Sequence, residues 1–186
     1  MVVRGDGLAN EYESAMQAVK KYDTRDPFEL LNAIGANVRY FNDFEADGLK
    51  GYSTILNRVM FAVINGNLNE SDKRIVAGHE AAHLILHKNE ILLSPAKALK
   101  DFNLFDNSGR LEYQANSFLA DFLVSDEDVM DALSNENSDY FANARELYMP
   151  PHLLAFKLHS MMKRDYKVRS PIDLKSGFLG KPEITW

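Results

Sequence analysis

The chain of 186 residues contains no cysteine. Disulfides, thiolate metal ligands and a cysteine nucleophile are therefore excluded, and any bound metal must sit on His, Asp or Glu. An excess of basic residues is missing too: 21 Lys and Arg stand against 27 Asp and Glu, a formal net charge of -6. A free-standing nucleic-acid binder ordinarily shows a basic stripe, so no direct nucleic-acid binding is expected. Long apolar runs are also lacking. The longest, Val59 to Ile64, has six residues, where a membrane span needs about 20. The first residues hold no apolar stretch of the secretory-signal kind. No membrane association is expected, and the default location is the cytoplasm.

What is present suits a globular protein. At 46% hydrophobic and 26% charged residues, the chain can bury a sizeable core. Leu8 to Lys21 spaces Tyr12, Ala15, Met16 and Val19 as an amphipathic helix. Asp26-Pro27 opens a second, short helix over Phe28 to Ile34. Three segments rich in Val, Ile, Tyr and Phe follow: Val38 to Phe41, Gly51 to Leu56 and Val59 to Ile64. Asn57-Arg58 is short enough to turn the last two into a hairpin, and a small antiparallel sheet is expected. An exposed edge at Val59 to Ile64 would offer unpaired backbone groups to an extended peptide.

Capping residues at Asn69 to Asp72 start a central helix expected over Glu70 to His87. Further helices are expected near 109–124, 126–134, 138–147 and 151–165, with Ser125 and Asp128 forming a capping box between two of them. The result is an α+β fold, a small sheet followed by a mostly helical C-terminal part. We read residues 1–169 as one domain and 170–186 as an irregular tail, with Phe178, Leu179 and Trp186 docking on the body.

The informative residues are His79-Glu80-Ala81-Ala82-His83, inside the central helix. Histidines at i and i+4 are separated by about 40° around the axis and about 6 Å along it. Both imidazoles can reach one metal ion, and neutral imidazole suits zinc. Glu80 lies about 100° around from His79, beside such an ion, where it can take the proton of a water molecule as a general base. A tetrahedral catalytic site needs a third protein ligand. His87 continues the series but lies about 12 Å along the axis from His79, which favours a helix-end or rim role. Glu112, on the next long helix, is the better candidate, although a Glu on a helix is usually solvated. Asn116 stands one turn beyond it, placed to orient a ligating His from behind, and Asp121 faces elsewhere.

With HEAAHLILH at 79–87 and EYQANSFLADFLVS at 112–125, the chain resembles the ImmA/IrrE family of zinc metallopeptidases. The resemblance implies a zincin-like domain, Zn2+ held by His79, His83 and Glu112, and Glu80 as general base. It departs from the family pattern at Ala82, where Gly is usual, and at Phe122-Leu123-Val124-Ser125, where Leu-Leu-Met-Pro is common. Members act in bacterial or phage regulatory circuits, cutting or otherwise inactivating a helix-turn-helix repressor. The implied function is zinc-dependent endopeptidase action on such a repressor, encoded separately. The alternative is a non-proteolytic module that sequesters a repressor or toxin partner. Between Glu112 and Glu146 there are nine acidic residues and one basic, Arg145, which would suit a basic partner. For the oxyanion donor, Tyr113, Tyr148, His152 and His159 are equal candidates.

Overall fold

A computed structural model describes residues 10–43, 45, 48–93, 99–101, 109–135, 139–172 and 174. Two helices, α1 (Glu11–Tyr22) and α2 (Pro27–Ala33), precede strands β1 (Asn37–Phe41), β2 (Gly51–Leu56) and β3 (Val59–Asn65). Helices α3 (Glu70–Leu86) and α4 (Lys88–Leu93) and a short strand β4 (Leu99–Asp101) follow. The chain continues through α5 (Arg110–Leu123), α6 (Asp126–Leu133), α7 (Tyr140–Glu146) and α8 (Pro151–Lys163). The expected α+β order is observed. The sequence reading had no element between 88 and 107, where α4 and β4 lie. Most of the C-terminal tail, with Phe178, Leu179 and Trp186, lies outside the described residues. Among the described residues, no helix is long and apolar enough to cross a membrane.

The strand order is β1-β3-β2-β4. β2 and β3 form the expected antiparallel hairpin, Leu56 opposite Val59. Asn57 and Arg58 both take positive φ, 50° and 67°, the two-residue turn whose twist matches that of its strands. The wholly antiparallel sheet is corrected, however: β1 runs parallel to β3, with Val38 opposite Ala62. β4 pairs with the other side of β2, so that β3 and β2 are the inner strands and β1 and β4 the edges. The expectation that Val59 to Ile64 offers a free edge is overturned by the same topology, because β3 is hydrogen-bonded on both sides.

Local chemistry sets the helix starts. Asn69 caps α3, its side chain accepting from Asp72 N at 2.9 Å, and Glu70 and Asp72 complement the helix dipole. Asp26 caps α2 through Phe28 N and Glu29 N, with Pro27 in the first turn. The Ser125–Asp128 capping box forms at the start of α6.

Two helices occupy the interior. α3 is buried on every side from Ile75 to Leu84, and α5 from Ala115 to Leu123. α3 packs on β2 and β3 with one face and on α2 and α5 with the other; α5 is further enclosed by α1 and α8. Gly78 allows this closeness. A Cβ there would meet Leu119 Cδ1 at 2.3 Å and Pro27 Cγ at 3.3 Å. Ala82, in the position where Gly is usual, is also fully buried and small enough to fit. Phe118, Phe122 and Phe156 fill the core, each contributing roughly 1.5–3 kcal/mol by its removal from water.

A buried charge network fixes α5, α6 and α8 together. Lys157 Nζ donates to Asp121 Oδ1 at 3.0 Å and to Asp126 Oδ1 at 2.8 Å. Ser160 Oγ donates to Asp121 Oδ2 at 2.6 Å, and Arg164 grips Asp126 with both terminal nitrogens. Asp121 thus belongs to this network, facing away from the histidine pair as the helical spacing implies.

Candidate metal centre

His79 and His83 are one turn apart on α3, and Glu112 enters from the first turn of α5. His79 Nε2 lies 3.0 Å from His83 Nε2 and 3.1 Å from Glu112 Oε2, and His83 Nε2 lies 3.5 Å from the same oxygen. Three ligand atoms form a near-equilateral triangle. A tetrahedral zinc with ligands at 2.0–2.1 Å separates them by about 3.3 Å, so the spacing fits the ion. These three side chains are close enough to hold a metal.

The donor set has the right protonation for that role. Asn116 Oδ1 lies 3.0 Å from His79 Nδ1. A carbonyl oxygen only accepts, so His79 Nδ1 carries the proton and Nε2 presents its lone pair to the triangle. Two neutral imidazoles and one carboxylate bring a single negative charge to a divalent ion, which leaves the ion electrophilic.

The His79 and His83 side chains are 1% and 0% exposed, whereas Glu112 is 21% exposed, so solvent reaches the triangle from the α5 side. Glu80 is fully buried, on the neighbouring face of α3 that packs against β2, with its Oε1 close to the Gly51 backbone.

His87 is not at a rim. It is 2% exposed, occupies the C-cap of α3, and its Nδ1 lies 2.9 Å from His83 Nδ1. Burial, followed by the neighbouring His83, lowers its pKa to about 4, so it is a neutral imidazole at physiological pH. Its Nε2 faces Gln114 Oε1 at 3.3 Å, and Gln114 Nε2 donates to Glu11 Oε1 at 3.0 Å. Sequence reasoning passed over Gln114 and Glu11. The i+4 spacing of His87 from His83 pointed toward the first of these contacts, but Glu11 is brought in only by the packing of α1 on α5.

The four oxyanion candidates disperse. Tyr113 packs on Phe156 and accepts from Lys163 Nζ at 2.9 Å; His159 Nε2 meets the Ile172 carbonyl at 3.3 Å. Tyr148 is 85% exposed beside Ser71 and Arg74, and His152 is exposed in the first turn of α8. The acidic 112–146 stretch divides as well. Glu112 joins the triangle and Asp121 and Asp126 join the buried network, while Glu127, Asp128, Asp131, Asp139 and Glu146 are exposed. Asp128, Asp131 and Glu146 line one cleft with Arg74 and Tyr148.

Comparison with known proteins adds two findings. A peptidase family described as the IrrE N-terminal-like domain matches residues 32–159. The chain is also 30% identical over 127 residues to "Uncharacterized immunity region protein 2" of Bacillus phage phi105, a match covering 68% of this chain and 76% of that protein.

Proposed function

Since the chain belongs to the IrrE N-terminal-like peptidase family, we propose that it is a zinc-dependent endopeptidase acting on one regulatory protein, a helix-turn-helix repressor. The observation that carries the zinc reading is the triangle of His79 Nε2, His83 Nε2 and Glu112 Oε2, whose edges suit tetrahedral zinc.

In this reading His79, His83 and Glu112 hold the ion. Zinc bound there supplies Lewis acidity, polarising the scissile carbonyl and acidifying water. Glu80 takes the proton of the attacking water and passes it to the departing amine. Its burial keeps the carboxylate out of bulk solvent, and the backbone of Gly51 limits its freedom. Asn116 holds the His79 ring in the orientation that exposes Nε2.

The choice of substrate is supported by the immunity-region name of the phage relative and by charge. The exposed carboxylates of Asp128, Asp131 and Glu146 beside one cleft suit a basic DNA-binding partner. One cut between the DNA-binding and dimerisation parts of a repressor would abolish the avidity of two linked half-site contacts.

The experiment is co-expression of a helix-turn-helix repressor, sought among the genes encoded beside this one, with wild type and with Glu80→Gln, followed by intact-mass analysis. Fragments are expected with wild type and none with Glu80→Gln. An uncut repressor in both, with derepression in both, would replace proteolysis by sequestration.

A further inference from the structure

We propose that α1, which lies outside the family-matched residues 32–159, is part of the metal centre: Glu11 and Gln114, acting through His87, fix the tautomer and orientation of His83. This rests on the reading of His79, His83 and Glu112 as a zinc site. Glu11, Gln114 and His87 are positioning residues.

The direction of each hydrogen bond follows from the group at its end. The Glu11 carboxylate only accepts, so the Gln114 amide nitrogen turns toward it, 3.0 Å away. That leaves the Gln114 carbonyl oxygen facing His87 Nε2 at 3.3 Å. An oxygen of this kind also only accepts, so His87 carries its proton on Nε2. A neutral imidazole has a single N–H, and His87 Nδ1 is therefore a bare lone pair. It lies 2.9 Å from His83 Nδ1, which must be the donor. His83 Nε2 is then left unprotonated, facing His79 Nε2 at 3.0 Å and Glu112 Oε2 at 3.5 Å. Both imidazoles of the triangle are preset to ligate, His79 by Asn116 and His83 by the relay.

Glu11 decides the sense of the whole chain. Without it the Gln114 amide is free to turn over and present its NH2 group to His87 Nε2. The proton would then move to His87 Nδ1, His83 Nδ1 would have to accept, and the proton on His83 Nε2 would block the ligand atom. The outer partner of a ligating histidine typically changes metal affinity by about 10–100-fold.

The test uses the full chain, 15N-labelled at its histidines, together with zinc affinity measured by chelator competition. Long-range 1H–15N spectra should show His87 protonated at Nε2 and bare at Nδ1, with and without zinc. Glu11→Ala and Gln114→Leu should each weaken zinc binding by about 10–100-fold. Gln114→Glu alone should keep most of the affinity, because a carboxylate at 114 can only accept and holds the proton on His87 Nε2 without help from Glu11. Combining Glu11→Gln with Gln114→Glu keeps one carboxylate and one amide in the relay and should likewise keep most of the affinity. That swap conserves volume, so its retained affinity separates the relay from simple loss of fold. His87 protonated at Nδ1, unchanged affinity in Glu11→Ala and Gln114→Leu, or a marked loss in Gln114→Glu or in the swap would overturn the relay. A wild-type chain that binds no zinc would instead overturn the metal reading on which the relay rests, a distinguishable failure.

Discussion

Glu80 lies against the backbone of β2 at Gly51: a Cβ on that glycine would stand 3.0 Å from Glu80 Oε1 and 2.5 Å from Val76 Cγ1. The absent side chain lets α3 settle onto the sheet at the turn that carries Glu80. Strand and helix therefore meet where the proposed proton acceptor sits.

Gly51→Ala should accordingly shift Glu80 while the triangle of His79, His83 and Glu112, on the side of α3 that faces α5, stays in place. Zinc content should remain near that of wild type and the cleavage rate fall roughly 10–100-fold, as misplacement of a reacting group by an ångström does. Overpacking should also cost about 1–3 kcal/mol in stability. Metal analysis, thermal unfolding and a rate assay on the same samples check this. A wild-type rate would show that Glu80 tolerates displacement.

Asn116 gives a second handle on the site. Asn116→Ala removes the acceptor for His79 Nδ1 and should weaken zinc retention about 10–100-fold, whereas Asn116→Asp keeps an acceptor and should lose less. Chelator competition on the three proteins decides it. Equal affinities would mean that helix packing alone orients His79.

The central helix shows how far the residues alone carry this protein. Asn69, Glu70 and Asp72 mark its start, and it forms over Glu70–Leu86, close to the expected Glu70 to His87. The i,i+4 histidines are local information, as is the one-turn step from Glu112 to Asn116. Pairing is different. The parallel placement of β1 beside β3 is a long-range pairing that no periodicity in β1 encodes. The same holds for Glu11 and Gln114, whose roles arise when α1 meets α5. His87 was legible as a helix-end residue, but its burial behind His83 depends on α5 covering that end.

The buried network predicts a large stability effect far from the metal. Lys157→Met removes the buried cation 3.0 Å from Asp121 and leaves only the more distant Arg164 at 3.6 Å, and loss of one partner of such a buried pair costs roughly 3–5 kcal/mol. Chemical unfolding of the metal-free protein measures it. A loss below about 1 kcal/mol would place the pair with exposed surface bridges.

Asp126 sets an acid limb. Burial works to raise its carboxyl, but the hydrogen bonds of Arg164 and Lys157 more than reverse that and hold it below the usual carboxylate range. A depressed folded pKa gives stability that is present above the unfolded value, about 3.9, and is lost as pH falls through the folded value. Metal-free wild type should therefore lose stability steeply below pH of about 4, and Asp126→Asn should show a shallower acid limb, though starting from lower stability. Parallel acid limbs in unfolding curves taken across that range would contradict the assignment.

The most direct test of the account is metal analysis of the purified wild type and of Glu112→Gln after dialysis against a mild chelator. Glu112→Gln replaces the only anionic member of the triangle by a neutral amide of the same shape. One zinc per chain in wild type, and a marked loss of zinc in Glu112→Gln with the fold retained, is the predicted result. No zinc in wild type, or full zinc in Glu112→Gln, would contradict it.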